Sequence, residues 1–236
     1  MKKRTKPARL TRKQLLEGVP GPDGGCIGFA APGEAGSVTT LLKAAADDLE
    51  TGHLDALARG QCGTWLLDAL DGVDLGEPLV RAAAAGDLQR AAGELSLPLV
   101  ARDSEGHVLG ALLAVPSGVV VAGLARLPGS QQVVLLSMLT YAKIKAVAVS
   151  EDARGRGIGA ALLQWCAQVY WQLDYTLLFG EFDTERNLGR YYTRQGFSVL
   201  GPGQTIDVGS LLTGSPLHLG AGPGLTFFHR WQPQEA

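Results

Sequence analysis

Residues 144–173 read IKAVAVSEDARGRGIGAALLQWCAQVYWQL, and this stretch decides the fold. Ile144 to Val149 is a short apolar, partly β-branched run that fits a buried strand. Ser150–Ala153 breaks the pattern and Arg154-Gly155-Arg156-Gly157-Ile158-Gly159 follows. From there Ile158, Leu162, Cys166, Val169 and Leu173 recur at steps of three and four, the apolar stripe of an amphipathic helix. Gly157 and Gly159 carry no side chain where that helix begins, so a ligand can come close to the backbone. The first N–H groups of a helix have no internal partner, and its dipole adds partial positive charge. A strand, a bare turn and a helix N-terminus with two arginines nearby suit a pyrophosphate.

Three readings meet here. A tight turn needs glycine for backbone reasons alone. Gly155-x-Gly157-x-x-Ala160 also satisfies a dinucleotide fingerprint. That fingerprint should follow its strand at once, whereas five residues separate Val149 from Gly155. The acid that would bind the ribose, Asp174, precedes the next apolar run instead of ending it. No Gly-Lys-Ser/Thr occurs, which excludes a P-loop.

The third reading is a resemblance. Arg154-x-x-Gly157-x-Gly159 after Val147-Ala148-Val149 resembles the acetyl-CoA signature of the GNAT superfamily of N-acetyltransferases. A second strand, Thr176–Phe182, leads to a short helix read as containing Asn187 and ending Tyr192-Thr193-Arg194-Gln195-Gly196-Phe197, similar to that superfamily's second hallmark. The match covers about residues 140–200. It implies an α/β (α+β) fold with a mixed, mostly antiparallel twisted sheet, helices on both faces, and strands splayed at the CoA site.

The remaining sequence bounds the class. With 236 residues and 46% hydrophobic content, the chain can bury a substantial core. Residues 1–13 hold seven Lys or Arg and no acid, within a net charge of −2. Residues 1–20 are read as a basic flexible tail and 21–236 as one domain with an enlarged helical region at about 54–95. No apolar run suits a secretory signal or a spanning helix, so a membrane is not an expected partner, and the basic start is read as a solvated terminus in preference to a nucleic-acid contact. Cys26, Cys62 and Cys166 are widely spaced with no neighbouring histidine, which points away from a disulfide framework or metal site and towards a cytoplasmic setting.

Cys26–Ala30 is read as a first strand, 37–50 as a helix, 54–59, 64–70 and 78–95 as short helices, and 97–102 with 107–115 as a hairpin. Gln131–Thr140 is read as a helix, and Gly224–Trp231 as the last strand. The long stretch 201–223 between the motifs and that strand is a candidate substrate lid.

The resemblance implies acetyl transfer from acetyl-CoA, as co-substrate and without a metal, to a primary amine of a small molecule or peptide. Backbone groups of Val147, Ala148 and Val149 would meet the pantetheine arm, and a backbone N–H near Val149 would polarise the thioester carbonyl. Arg154, Gly155, Arg156, Gly157, Ile158, Gly159 and Ala160 would hold the pyrophosphate, with Asn187 as a further contact. Tyr192 would protonate the departing thiolate, since a phenol is a donor at neutral pH. Tyr191 points about 100° away around the helix and is assigned to packing. Glu181 and Asp183 share a strand face, and either could accept the ammonium proton, as could water or a residue of the N-terminal half. A non-catalytic acetyl-CoA sensor or interaction module stays open as the alternative, as does a homodimer.

Overall fold

The computed structural model describes residues 9–46, 49, 51–127 and 129–233. The chain opens with α1 (Arg12–Glu17), whose Thr11 and Gln14 close a reciprocal capping box. Strands β1 (Val19–Pro20) and β2 (Cys26–Phe29) follow, then α2 (Ala35–Ala45), α3 (Thr51–Ala58), α4 (Thr64–Leu70), α5 (Gly76–Ala84) and α6 (Leu88–Glu94). The stretch 78–95, read as one helix, is two, because Gly86 turns the chain at φ 72°. The hairpin is β3 (Leu97–Arg102) and β4 (Val108–Pro116), followed by α7 (Gly118–Leu124) and α8 (Gln131–Thr140). The deciding stretch forms β5 (Tyr141–Val149) and α9 (Ile158–Gln172), then β6 (Leu177–Asp183) and α10 (Gly189–Arg194). The end comprises β7 (Ser198–Val199), β8 (Ile206–Asp207), α11 (Ser210–Thr213), β9 (His218–Leu219) and β10 (Leu225–Trp231).

Eight strands form one sheet in the order β1-β2-β3-β4-β5-β6-β10-β7. Every pairing in it is antiparallel except β5 with β6, the pair joined through α9. Helices α1, α4, α5, α6 and α9 send Leu15, Leu66, Leu79, Ala91 and Leu162 into the core on one face. On the other face α2 and α3 cover β3–β5 through Val38, Leu42, Leu54 and Leu57. A third cluster, around Tyr141, Phe179 and Phe227, is covered by α7, α8 and the 200–219 segment. No helix among the described residues is long and apolar enough to cross a membrane.

Two sequence expectations change. Residues 1–8 of the basic tail lie outside the described residues, but residues 10–20 are folded onto the domain. Leu10 is 3% exposed and Leu15 is fully buried. Gln172 accepts the Leu10 N–H at 2.7 Å and donates to the Leu10 carbonyl at 2.6 Å, while Arg12 pairs with Asp68 at 2.5 Å. Leu10, Leu15 and Leu16 among polar residues are too few to show a docking face by their spacing. The stretch read as a lid is likewise a folded unit. β8 and β9 pair with each other, Val208 is buried, and the Tyr141 hydroxyl donates to the Val208 carbonyl at 2.7 Å. Bonds from the Ser210 hydroxyl and from the N–H groups of Ser210, Leu217 and Gly209 stabilise Asp207 as a carboxylate, its pKa down at about 2.

Two substitutions test this packing. Leu10→Ala should cost about 2–4 kcal/mol in urea unfolding, through lost burial and a residual cavity. Gly180→Ala should cost ~1–3 kcal/mol, because a Cβ there would lie 2.5 Å from the Phe228 ring and 2.8 Å from the Ile144 carbonyl. An unchanged midpoint for either variant would contradict the corresponding contact.

Candidate active site

The parallel pairing of β5 with β6 runs from Tyr141↔Leu177 to Ile144↔Gly180 and stops there. Beyond it, β5 stays with β4 as far as Val149, while β6 stays with β10 as far as Asp183. The separation starts at a bulge: Ala114 faces Ile144 and Leu113 faces Ala146, so Lys145 has no opposite residue. A bulge bends its strand and increases the local twist. The result is a gap between the ends of two neighbouring strands.

Alternation along β5 fixes which backbone groups face that gap. The Ser150 N–H bonds to the Leu109 carbonyl at 2.8 Å, so Ser150, Ala148 and Ala146 direct their polar groups at β4. Val149 and Val147 therefore turn theirs to the gap. The backbone of Ala148 is spoken for by β4, which sets it apart from its two neighbours.

Above the gap lies the glycine turn. Gly155 and Gly157 have φ of 79° and 81°, a region that penalises any side chain. A Cβ on Gly155 would meet nothing within 4 Å, and one on Gly157 only Pro22, at 4.0 Å. Gly157 is the N-cap of α9, and the ladder begins with the Ala161 N–H on the Gly157 carbonyl at 3.0 Å. The N–H groups of Ile158, Gly159 and Ala160 thus precede any helical partner. The arginines stand around this turn at the surface. Arg154 is 3.7 Å from Glu151, and Arg156 donates to the Asp152 carbonyl at 2.8 Å. This donor set suits a diphosphate, with backbone N–H groups inside and mobile cations outside.

The other motif supplies the rim on the β6 side. Tyr192 is buried and stacks on Phe228 with ring centroids 3.7 Å apart, and on Phe182 at 5.4 Å. Phe182 lies past the last residue that pairs with β5, so Tyr192 stands on the helix-covered face beside the gap. Burial, with the Tyr191 phenol next to it, outweighs Arg186 and raises the Tyr192 pKa well above the ordinary phenol value. Its proton is held firmly at neutral pH. Asn187, expected on the helix, instead precedes it in a left-handed conformation at φ 50°. A short polar side chain tolerates that conformation between two turns.

Glu181 lies on the opposite face. The Lys143 ammonium contacts its Oε2 at 2.6 Å, and both side chains are about four-fifths buried. The Gly222 N–H points at its Oε1 from 3.4 Å. Asp183 instead caps the following turn, accepting the Glu185 N–H at 2.9 Å. On this face α2 crosses β4 and β5, and Arg186 reaches from the turn after β6 to the Ala45 carbonyl at 3.1 Å. Lys143 escaped the sequence reading because the apolar run began one residue later; the polar–apolar alternation of Tyr141–Lys145 was the available signal.

Residues 99–199 match the family model described as an acetyltransferase (GNAT) domain. No curated protein sequence matches the chain. Among solved structures, it is similar to a ribosomal-protein-alanine N-acetyltransferase from Brucella melitensis, with 18% identity, a TM-score of 0.45, and coverage of 87% of this chain and 98% of that one. It is also similar to a GNAT superfamily phosphinothricin acetyltransferase from Sinorhizobium meliloti in complex with acetyl-CoA, with 16% identity, a TM-score of 0.45 and 88% coverage of each chain. A nourseothricin acetyltransferase shares 18% identity at a TM-score of 0.37, over 58% of this chain; the chain spans just under two thirds of that protein, 66%. Likeness at this level transfers no acceptor. The stretch that matches the acetyltransferase (GNAT) domain model holds the strand, the glycine turn and both tyrosines.

Proposed function

We propose that this protein transfers the acetyl group of acetyl-CoA to a primary amine by direct attack on the thioester. The observation that carries this reading is the gap between β5 and β6, which opens directly below the unpartnered N–H groups of the glycine turn. A thioester supplies the activated acyl group. The chain has to hold the carrier still, receive a neutral amine and dispose of two protons.

In this reading the turn from Arg154 to Ala160 grips the diphosphate. The gap-facing groups of Val147 and Val149 pair with the amides of the pantetheine arm as a neighbouring strand would. Val149 also aims its N–H at the carbonyl oxygen, where charge develops as the amine adds. The amine approaches from the face that carries Glu181. Lys143 occupies Oε2 of that carboxylate, and Oε1 receives the ammonium proton, directly or through one water. On the helix-covered face Tyr192 gives its proton to the departing sulfur. Acid and base thus act from opposite faces of one opening. The acceptor is a small-molecule or peptide amine. Asn187 is kept only as a contact at the gap's edge.

Calorimetry with acetyl-CoA should show binding to the wild type and none to Gly157→Glu, which adds bulk and a negative charge where the phosphates lie. Equal affinity of the two would remove the site assignment. A thiol-release assay over a panel of amines then tests turnover; binding without release across the panel would favour a non-catalytic module. With a reactive amine in hand, Tyr192→Phe should lower kcat by ~10²–10⁴-fold while the acetyl-CoA Kd stays put. An unchanged kcat under rate-limiting chemistry would take the acid role away from this residue.

A further inference from the structure

We propose that Tyr191, the residue just before the motif tyrosine, is a cofactor-binding residue whose hydroxyl donates to the acetyl-CoA diphosphate at its pantetheine end. The proposal rests on the acetyl-CoA reading of the same site and adds a residue to it.

The first observation is steric. A Cβ on Gly159 would lie 2.6 Å from the Tyr191 hydroxyl oxygen, 3.7 Å from its Cζ and 3.6 Å from Val149 Cγ2. Gly159 is not among the residues with positive φ, so its backbone would accept any side chain. Space is what demands glycine there, and the tip of Tyr191 fills that space. The phenol has therefore crossed from α10 to the first turn of α9.

The second observation is chemical. The Gly159 N–H is one of the three that precede the helical ladder. Tyr191 adds an O–H donor beside them, and among the described residues no hydrogen bond is made to that hydroxyl. Three N–H groups without a helical partner and one O–H near the middle one form a donor set with no acceptor of its own, and an anion is the ligand that suits it. Burial raises the Tyr191 pKa above the ordinary phenol value, so the group stays a donor at neutral pH.

The third observation is the division of labour within the pair. Tyr191 and Tyr192 meet edge to face, with centroids 5.2 Å apart. Tyr192 lies on Phe182 and Phe228 at the β6 rim, while the tip of Tyr191 reaches Gly159 at the start of α9, which follows β5. One short helix thus places a phenol on each side of the gap.

The test uses the full-length protein and two probes, acetyl-CoA and S-acetyl-pantetheine, which lacks the diphosphate. Tyr191→Phe should weaken acetyl-CoA binding roughly 10–100-fold, the range for a hydrogen bond to a charged group. It should leave S-acetyl-pantetheine binding unchanged. Gly159→Ala should lower the Tm of the wild type and cost clearly less in the Tyr191→Phe background, where the oxygen at 2.6 Å is gone. A Tyr191→Phe variant that binds acetyl-CoA as tightly as a competent wild type overturns this proposal alone. So does equal weakening of both probes, which marks a packing role. A wild type that binds no acetyl-CoA overturns the underlying reading as well.

Discussion

The structure depends on one constraint: β5 and β6 must start as paired neighbours and end apart. Backbone N–H and C=O groups turned away from a partner strand need water or a ligand instead. Here the exposed edges are confined to the last few residues of β5 and of β6, and each strand keeps its outer partner throughout. β4 therefore holds one side of the opening and β10 the other. The bulge at Lys145 lets β5 turn away without losing its hydrogen bonds to β4. Gly180 lets Phe228 and the Ile144 carbonyl close up where the two strands last touch.

The parts above and below the opening are then set by packing. α9 begins where β5 ends, and its N-terminal donors face the gap because its apolar stripe is fixed on β3–β5. α10 lies on the β6 side, with Tyr192 clamped between Phe182, Phe197 and Phe228. On the other face the 200–219 unit is tied down by the Tyr141–Val208 bond, and α2 lies over β4 and β5. The helices from 51 to 94 divide between the two faces: α3 joins α2, and α4–α6 extend the core beneath α9. With α1 they bury Leu15, Leu66 and Leu79.

Charge placement follows the same division. Arg154 and Arg156 sit outside the turn in contact with acidic or carbonyl partners, and these surface-exposed contacts cost little to exchange. The Lys143–Glu181 pair is shielded on both sides. Removing either partner would strand a charge in a partly dry site.

The sequence by itself determined the local elements and the order of the motifs. A short apolar, partly β-branched run in 144–149, a period near four in 158–173 and glycines between them leave little choice, because each rests on neighbours within one turn or strand. Hence the strand, the turn, the helix, the hairpin and the final strand were all legible. Tertiary structure alone decided three things. The first was where the parallel pair parts, which depends on the partners of β5 and β6 far away in sequence. The second was Leu10, docked by a contact with Gln172 across 162 residues. The third was Tyr191: its position beside Tyr192 suggested only another packing residue, while its hydroxyl meets Gly159 because two helices converge on one gap. Periodicity records which face of an element is buried; it carries no information about what lies opposite that face.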